Sequence, residues 1–224
     1  RGILGFWALV VTQFQGAFND NAYKWLITFF LVDLLGKSAA QERQIVAVIG
    51  GLFAVPFLLF PVYAGTLADR FSKQRIAVAM KYFELVIMAL GLLGFWLHMP
   101  KLIWPTLFLM LTQSAFFSPA KYGLLPEILP EKKLSWGNGV IQMGTFVAII
   151  LGTVAAGYLY DALEERVYLT SLPLLGLSVL GLACSHFITR PPAANPAQRI
   201  HVNPWSGMSR YLGVLRRDRW LFLT

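Results

Sequence analysis

The stretch GTLADRFSKQR, residues 65–75, places one acidic and three basic residues between two long apolar runs. The run before it covers about residues 45–66 and the run after it about 76–98. Each is close to the roughly 20 apolar residues that an α-helix needs to cross a bilayer. Because basic connectors stay on the cytoplasmic side, the stretch predicts a cytoplasmic turn between two membrane-spanning helices.

The composition of the whole chain agrees with a membrane protein. Of its 224 residues, 57% are hydrophobic and 13% are charged, and the mean hydropathy is +0.60. Soluble domains average about 25% charged residues. The net charge of +8 sits in clusters between apolar runs, which argues against nucleic-acid binding. With one cysteine, Cys184, and no Cys/His cluster, we expect no internal disulfide, metal or other cofactor.

Outward from residues 65–75, the chain divides into six apolar stretches. They cover about residues 3–35, 45–66, 76–98, 102–118, 137–160 and 167–189. Pro119 is expected to end the fourth span and Ser135 to cap the start of the fifth. We therefore predict an all-α membrane protein with a six-helix transmembrane bundle over residues 1–189.

The Lys and Arg residues predict the orientation and the chain's continuation. Thirteen fall on one predicted side and four on the other, so the basic side, with the N-terminus, is predicted to be cytoplasmic. Residues 190–218 then form a basic cytoplasmic connector, and 219–224 begin a seventh span. We expect the first span to be retained rather than cleaved, and the chain to be part of a longer protein.

The first span is unusually polar at its centre. Gln13, the adjacent Gly16 and Ala17, Asp20 and Lys24 lie three or four residues apart along the chain and so share a helical face. Charged residues inside a span usually face an internal cavity. The stripe therefore predicts a water-filled path, although an i, i+4 ion pair between Asp20 and Lys24 with a structural role is the alternative. The neighbouring amides Asn19 and Asn21 enlarge this polar surface.

Three further spans carry polar candidates. Lys81 and Glu84 share a face of the third span; Lys81 is expected to snorkel to the cytoplasmic end, and Glu84 either faces the cavity or pairs with Lys81. At the end of the fourth span, Lys121 and Tyr122 suit a phosphate or carboxylate contact, or are ordinary interfacial residues. In the fifth span, three polar residues share one face: Asn138, Gln142 and Thr145.

The stretch GTLADRFSKQR resembles the signature loop of the major facilitator superfamily, G-x-L-a-D-r-x-G-r-K. Gly65, Leu67, Asp69, Arg70 and Lys73 match this pattern, and a serine replaces the second glycine. The resemblance implies the N-terminal six-helix half of such a transporter, to be completed by a C-terminal six-helix bundle. It also implies a conformational latch that holds the outward-facing state, formed by Gly65, Asp69, Arg70 and Lys73.

Two further motifs, AFNDNA at residues 17–22 and SPAKYG at 118–123, resemble those of bacterial lysophospholipid transporters. That resemblance implies movement of lysophosphatidylethanolamine-like lipid from the outer to the inner leaflet of the bacterial inner membrane, for re-acylation. It makes Asp20 a substrate-site residue. The longer stretch FNDNAYKW, which includes Lys24, resembles the form of these transporters that is fused to an acyltransferase and acyl-carrier-protein synthetase. The resemblance thus implies such an enzyme, fused or associated, and membrane lipids as partners. The predicted substrate-binding set is Gln13, Asn19, Asp20, Asn21, Lys24, Glu84, Lys121, Tyr122, Asn138 and Gln142.

Two other functions are compatible with the sequence. A proton-coupled exporter of drugs or small metabolites would use Asp20 or Glu84 as its proton carrier. The lack of a Gly-Pro pair in the fifth span argues against a drug antiporter. A membrane anchor for an acyltransferase is the other, but an inert anchor needs no polar stripe. No constellation typical of an enzyme active site is recognisable, so we do not expect an enzyme within these residues.

Overall fold

The computed structural model describes residues 2–197, almost all of them helical. Two short 3₁₀ segments, Glu131–Lys133 and Glu164–Thr170, precede the last two α-helices. The predicted seventh span and most of the predicted connector lie outside the described residues. In chain order the α-helices are α1 (Gly2–Leu35), α2 (Ala39–Leu59), α3 (Pro61–Arg70), α4 (Lys73–Trp96), α5 (Pro100–Ile128), α6 (Leu134–Ala162) and α7 (Ser171–Ser185).

All six stretches predicted as spans are helical, but they differ in polarity. Four segments are long and apolar enough to cross a membrane: Ala39–Leu59, Lys73–Trp96, Glu131–Ala162 and Arg166–Ser185. Helices α1 and α5 are longer, at 34 and 29 residues. They carry polar residues near their centres, such as Asp20 in α1 and Gln113 in α5. The chain is thus a multi-pass helical protein in which α1 and α5 carry polar residues near their centres.

The prediction that Pro119 ends the fourth span is wrong. Helix α5 continues through Pro119 to Ile128, and it also contains Pro105 and Pro126. A proline removes one backbone hydrogen bond, but packing of the following turn can hold the helix together. Here Ala120 and Leu124 are fully buried against neighbouring helices. As a result α6 begins soon afterwards, with Lys133 rather than Ser135 at the N-cap position.

The second predicted span consists of two helices that meet at Phe60. Pro56 lies in the last turn of α2, and Pro61 is the first residue of α3. Proline at these places favours a break followed by a new helix start. Helix α3 then extends to Arg70, so only Phe71 and Ser72 separate it from α4. Residues 65–75, which were predicted to form a turn, are therefore mostly helical. The turn itself consists of Phe71 and Ser72.

Helix α1 runs through the middle of the bundle and packs against α2, α5, α6 and α7. It approaches α6 closely at Gly152, where a Cβ atom would lie 2.5 Å from the backbone oxygen of Phe18. Small residues at such crossings let helices pack closely. On another face, the hydroxyl of buried Tyr23 lies 2.8 Å from that of Thr106 on α5. This packing leaves the polar stripe of α1 between its neighbours.

Candidate functional site

Five helices, α1, α2, α4, α5 and α6, enclose a cavity of about 170 Å³. Helix α1 contributes four of the five residues of the predicted stripe, Gln13, Gly16, Ala17 and Asp20, together with Asn21. The 3.6-residue period of α1 places these residues on one face, and the gap beside α5 and α6 receives them. The other helices contribute Phe53, Phe57, Lys81, Gln113, Ser114, Phe117, Ser118, Lys121, Thr145 and Ile149.

Among the described residues, Asp20 is the only carboxylate that lines this cavity. Its Oδ2 atom accepts a hydrogen bond of 2.5 Å from the hydroxyl of Ser114 on α5. Its Oδ1 atom is buried and has no hydrogen-bond partner. A buried carboxylate oxygen without a donor is costly, so this atom is well placed to accept one from a bound molecule.

The alternative interpretation of the stripe, an ion pair between Asp20 and Lys24, does not form, because the ion pairs of the described residues are Lys73–Glu127 and Lys81–Glu84. The Lys24 ammonium instead lies 5.4 Å from the ring centroids of both Trp25 and Phe53. Attraction between a cation and two aromatic faces offsets part of the loss of water around the ammonium. Lys24 does not line the cavity, so its ammonium does not take part in the polar wall that contains Asp20.

The prediction that Lys81 snorkels to a membrane surface is also wrong. Lys81 is 1% exposed, and its Nζ lies 2.6 Å from Glu84 and 2.7 Å from the Gln15 side-chain oxygen. Glu84 also accepts hydrogen bonds from Gln15, Asn19 and Ser178, at 2.7, 3.1 and 3.2 Å. Buried charges require such complete pairing. Of the two interpretations of Glu84, the structure supports the partner of Lys81, since Glu84 itself does not line the cavity.

Two α1 residues show how the cavity and this ion pair are related. Gly16 lies beside Lys81, and a Cβ atom there would be 2.8 Å from the lysine Nζ. Asn19 is completely buried and donates to Glu84, to Ser178 at 2.9 Å and to the Leu174 carbonyl oxygen at 3.0 Å. Asn19 therefore joins α1 to α4 and α7 inside the bundle. The prediction that it faces the cavity is wrong.

Gln13 and Asn21 do face the cavity. Gln13 donates a hydrogen bond of 3.0 Å to the hydroxyl of Thr145, which links α1 to α6 across the cavity wall. Asn21 donates to the Ala17 carbonyl oxygen one turn earlier, at 2.9 Å. Asn21 thus keeps a polar side chain at the cavity surface while satisfying its own amide donor.

Lys121 lines the cavity on the α5 side, but three other predicted substrate-binding residues do not: Tyr122, Asn138 and Gln142. Its Nζ lies 4.4 Å from the ring centroid of Tyr122, and only 7% of the residue is exposed. Tyr122 is 41% exposed and accepts a hydrogen bond of 2.9 Å from Gln142 on α6. Gln142 and Asn138 are both exposed, so of this group only Lys121 joins Asp20.

The residues of the predicted latch lie at the end of α3 and the start of α4. Lys73 forms an ion pair of 2.5 Å with Glu127 on α5. Gly123 makes room for it, because a Cβ atom there would lie 2.5 Å from the lysine Cε. The backbone oxygen of Asp69 accepts a hydrogen bond of 2.8 Å from Asn195. Gly65 and Arg70 lie in the same helix as Asp69.

The sequence analysis missed several cavity residues. Gln113, Ser114 and Ser118 line the cavity from α5, and Gln15 holds Lys81 from behind. A usable signal existed, since Gln113 and Ser114 are adjacent polar residues at the centre of an apolar span. Within residues 2–197, no three His, Cys, Asp or Glu side chains are grouped so that they could hold a metal ion.

Comparison with known proteins agrees with this architecture. The family model described as Major Facilitator Superfamily matches residues 9–224. Lysophospholipid transporter LplT from Salmonella paratyphi B is 32% identical over 195 residues, which is 87% of this chain and 45% of the relative. The proteins of the same name from Salmonella newport and Salmonella heidelberg give the same values. The chain thus spans about half the length of these curated relatives.

Proposed function

This chain belongs to the Major Facilitator Superfamily, and we propose that it forms the N-terminal half of a lysophospholipid transporter. The observation that carries the proposal is the cavity, where one carboxylate, Asp20, and two ammonium groups, Lys81 and Lys121, line the same space. A phosphoethanolamine headgroup carries the complementary charges, one ammonium and one phosphate. The name of the similar LplT proteins supports the same substrate class.

In this proposal Asp20 binds the lipid ammonium. Its Oδ1 atom lacks a hydrogen-bond partner, and Ser114 holds its Oδ2 atom in place. A charge-assisted hydrogen bond to an ammonium is roughly twice as strong as a neutral one. Burial inside the bundle strengthens it further, since little water competes for the carboxylate.

The two lysines bind the lipid phosphate. Lys121 comes from α5, whereas Lys81 is held in position by Glu84 and Gln15. Lysine provides a compact positive charge with three donors, which suits the several oxygens of a phosphate. Gln13 and Asn21 extend the polar wall, where they can contact the glycerol hydroxyl.

The apolar part of the cavity suits the acyl chain. Phe53 and Phe57 on α2, Phe117 on α5 and Ile149 on α6 line the same space as the charged groups. A single-chain lipid requires this combination of polar and apolar walls. Asn19, Glu84, Lys24, Tyr122, Asn138 and Gln142 are accordingly reassigned to supporting or peripheral roles.

The transport cycle that we propose is alternating access. Two six-helix bundles rock around a central site, a known arrangement of inverted and parallel repeats in such transporters. The lipid moves from the outer to the inner leaflet of the bacterial inner membrane, with the N-terminus cytoplasmic. Asp69 and its neighbours latch the outward-facing state, and an acyltransferase, fused or associated, re-acylates the product.

The test uses the full-length protein and two matched aspartates of α1. Asp20→Asn removes the proposed ammonium contact, whereas Asp33→Asn alters an exposed carboxylate that accepts a hydrogen bond from Tyr160. We expect Asp20→Asn to abolish uptake of fluorescent lysophosphatidylethanolamine into vesicles at equal membrane levels, and Asp33→Asn to retain it. Wild-type uptake by Asp20→Asn would refute the site.

A proton-coupled exporter remains the second candidate, because a buried carboxyl with a free oxygen suits a proton carrier as well as an ammonium site. The two are distinguished by cargo and coupling. An exporter loses transport when an ionophore dissipates the proton gradient and does not accept lysophospholipid. A lysophospholipid transporter takes up the lipid in vesicles.

A further inference from the structure

A second concavity lies at the end of the bundle where α3 turns into α4. It has a volume of about 510 Å³ and is lined by Arg70, Phe71, Ser72, Arg75 and Arg190, with the three residues that follow Arg190. We call it the arginine pocket. It shares no lining residue with the central cavity, and of its residues the transport proposal uses only Arg70, as part of the latch.

The three arginines of this pocket have no counter-ion in the described part of the chain. The ion pairs found there are Lys73 with Glu127 and Lys81 with Glu84. Arg75 and Arg190 are exposed, and the Arg70 guanidinium lies 5.6 Å from the Phe71 ring. Three like charges around one space repel one another, so an anion between them lowers the electrostatic energy.

The pocket also borders the N-terminus of α4. Ser72 is the N-cap residue, but its side chain makes no capping hydrogen bond, and the first turn of this 24-residue helix contains no acidic residue. Ser72 is 8% exposed, and its buried hydroxyl has no hydrogen-bond partner. The free amides of a helix N-terminus, together with its dipole, favour a bound anion.

Both walls of the pocket are fixed to the bundle. The segment after α7 is attached to α3 by the hydrogen bond from Asn195 to the Asp69 backbone oxygen. Gln74 donates a longer hydrogen bond of 3.4 Å to the Ser185 carbonyl oxygen, which connects α4 to the end of α7. The arginines therefore line a pocket whose two walls are hydrogen-bonded to the helical bundle.

We propose that the arginine pocket binds a phosphate group. Planar guanidinium groups match phosphate oxygens in pairs, which makes arginine the preferred partner for this anion. The phosphate can belong to the headgroup of an anionic phospholipid or to free inorganic phosphate. The lipid is the favoured source because Phe71, 41% exposed, adds an apolar surface at the pocket wall.

The test compares two double variants of the full-length protein that lose the same charge. Arg75→Gln/Arg190→Gln changes two exposed pocket arginines, whereas Lys132→Gln/Lys133→Gln changes two exposed lysines of the 3₁₀ segment before α6. Binding of dioctanoyl phosphatidylglycerol and of inorganic phosphate is measured in detergent by titration calorimetry. Circular dichroism confirms that both variants are folded.

We expect the arginine variant to bind about tenfold more weakly, from the loss of two charge-assisted contacts, and the lysine variant to bind like wild type. If phosphatidylglycerol binding is weakened in the arginine variant alone, the ligand of the pocket is a lipid phosphate. If only inorganic phosphate binding changes in this way, the ligand is the free ion. The proposal is overturned if neither ligand binds, or if the two variants weaken binding equally.

Discussion

The Lys81 ammonium lies 2.6 Å from the Glu84 carboxylate, and the two side chains are 1% and 0% exposed. An ion pair this deep has a structural cost and a functional benefit. Removing two charges from water costs several kcal/mol, and good geometry with further hydrogen bonds offsets most of that. Gln15, Asn19 and Ser178 provide those bonds to Lys81 or Glu84. The benefit is a lysine side chain that Glu84 and Gln15 hold in one position at the cavity wall.

Breaking this pair is expected to destabilise the protein strongly. Glu84→Gln leaves the Lys81 ammonium buried without its counter-ion, so the free energy of unfolding should fall by about 3 kcal/mol. Thermal unfolding in detergent measures the change. The control is Glu127→Gln, where the carboxylate is 29% exposed and only its partner Lys73 is buried, so the loss should be smaller than for Glu84→Gln. Equal losses in the two variants would contradict the role of burial.

Gly16→Ala is expected to impair transport more than stability. The new methyl group would lie 2.8 Å from the Lys81 Nζ, and the flexible end of the lysine can move aside. Lysophospholipid uptake should fall severalfold while the melting temperature changes little. Gly139→Ala on α6 is the matched control, because no atom lies within 4 Å of its added Cβ. Unchanged uptake by Gly16→Ala would show that the position of Lys81 does not matter.

Gly152→Ala should have the opposite balance. Its Cβ would lie 2.5 Å from the backbone oxygen of Phe18, and backbone cannot move aside as a side chain does. Helix α6 must shift away from α1, at a cost of about 1–3 kcal/mol typical of overpacked sites. Gly157→Ala on the same helix meets no atom within 4 Å and should leave the melting temperature unchanged or raise it. A stable Gly152→Ala protein would argue against this crossing.

Lys24 and Lys121 are expected to differ in transport. Lys24→Gln removes a charge that lies over Trp25 and Phe53, outside the cavity, so uptake should remain near wild type. Lys121→Gln removes a proposed phosphate contact and should reduce uptake about tenfold or more. Initial rates at equal expression measure both. Loss of uptake in Lys24→Gln would instead restore the Asp20–Lys24 pair as a functional unit.

The sequence was sufficient to place the helices and the polar stripe. Apolar runs of spanning length predicted every long helix, and the three-and-four spacing placed Gln13 and Asp20 on the face that lines the cavity. These features depend on local periodicity, which a sequence shows directly. The substrate roles of these residues are still predictions.

The errors have a common physical origin. Spacing placed Lys24 on the cavity stripe, but in the fold it lies beside Phe53 of another helix and outside the cavity lining. Position near a span end made Lys81 a surface residue, but Gln15 from α1 accepts its hydrogen bond. Pro119 was expected to end a helix that neighbouring helices support. In each case the environment of the side chain depends on residues that are distant in sequence, and a local sequence pattern does not contain that information.

The continuity of α5 past Pro119 has a consequence for substrate selection. Ser114, which holds Asp20, and Lys121 are seven residues apart on one helix, about two turns or 10 Å along its axis. With no loop between them, the helix fixes the distance between the anionic and cationic ends of the site. For the proposed lipid substrate, headgroup length is then expected to be a selected property, because charges that are too close together or too far apart would not satisfy both ends.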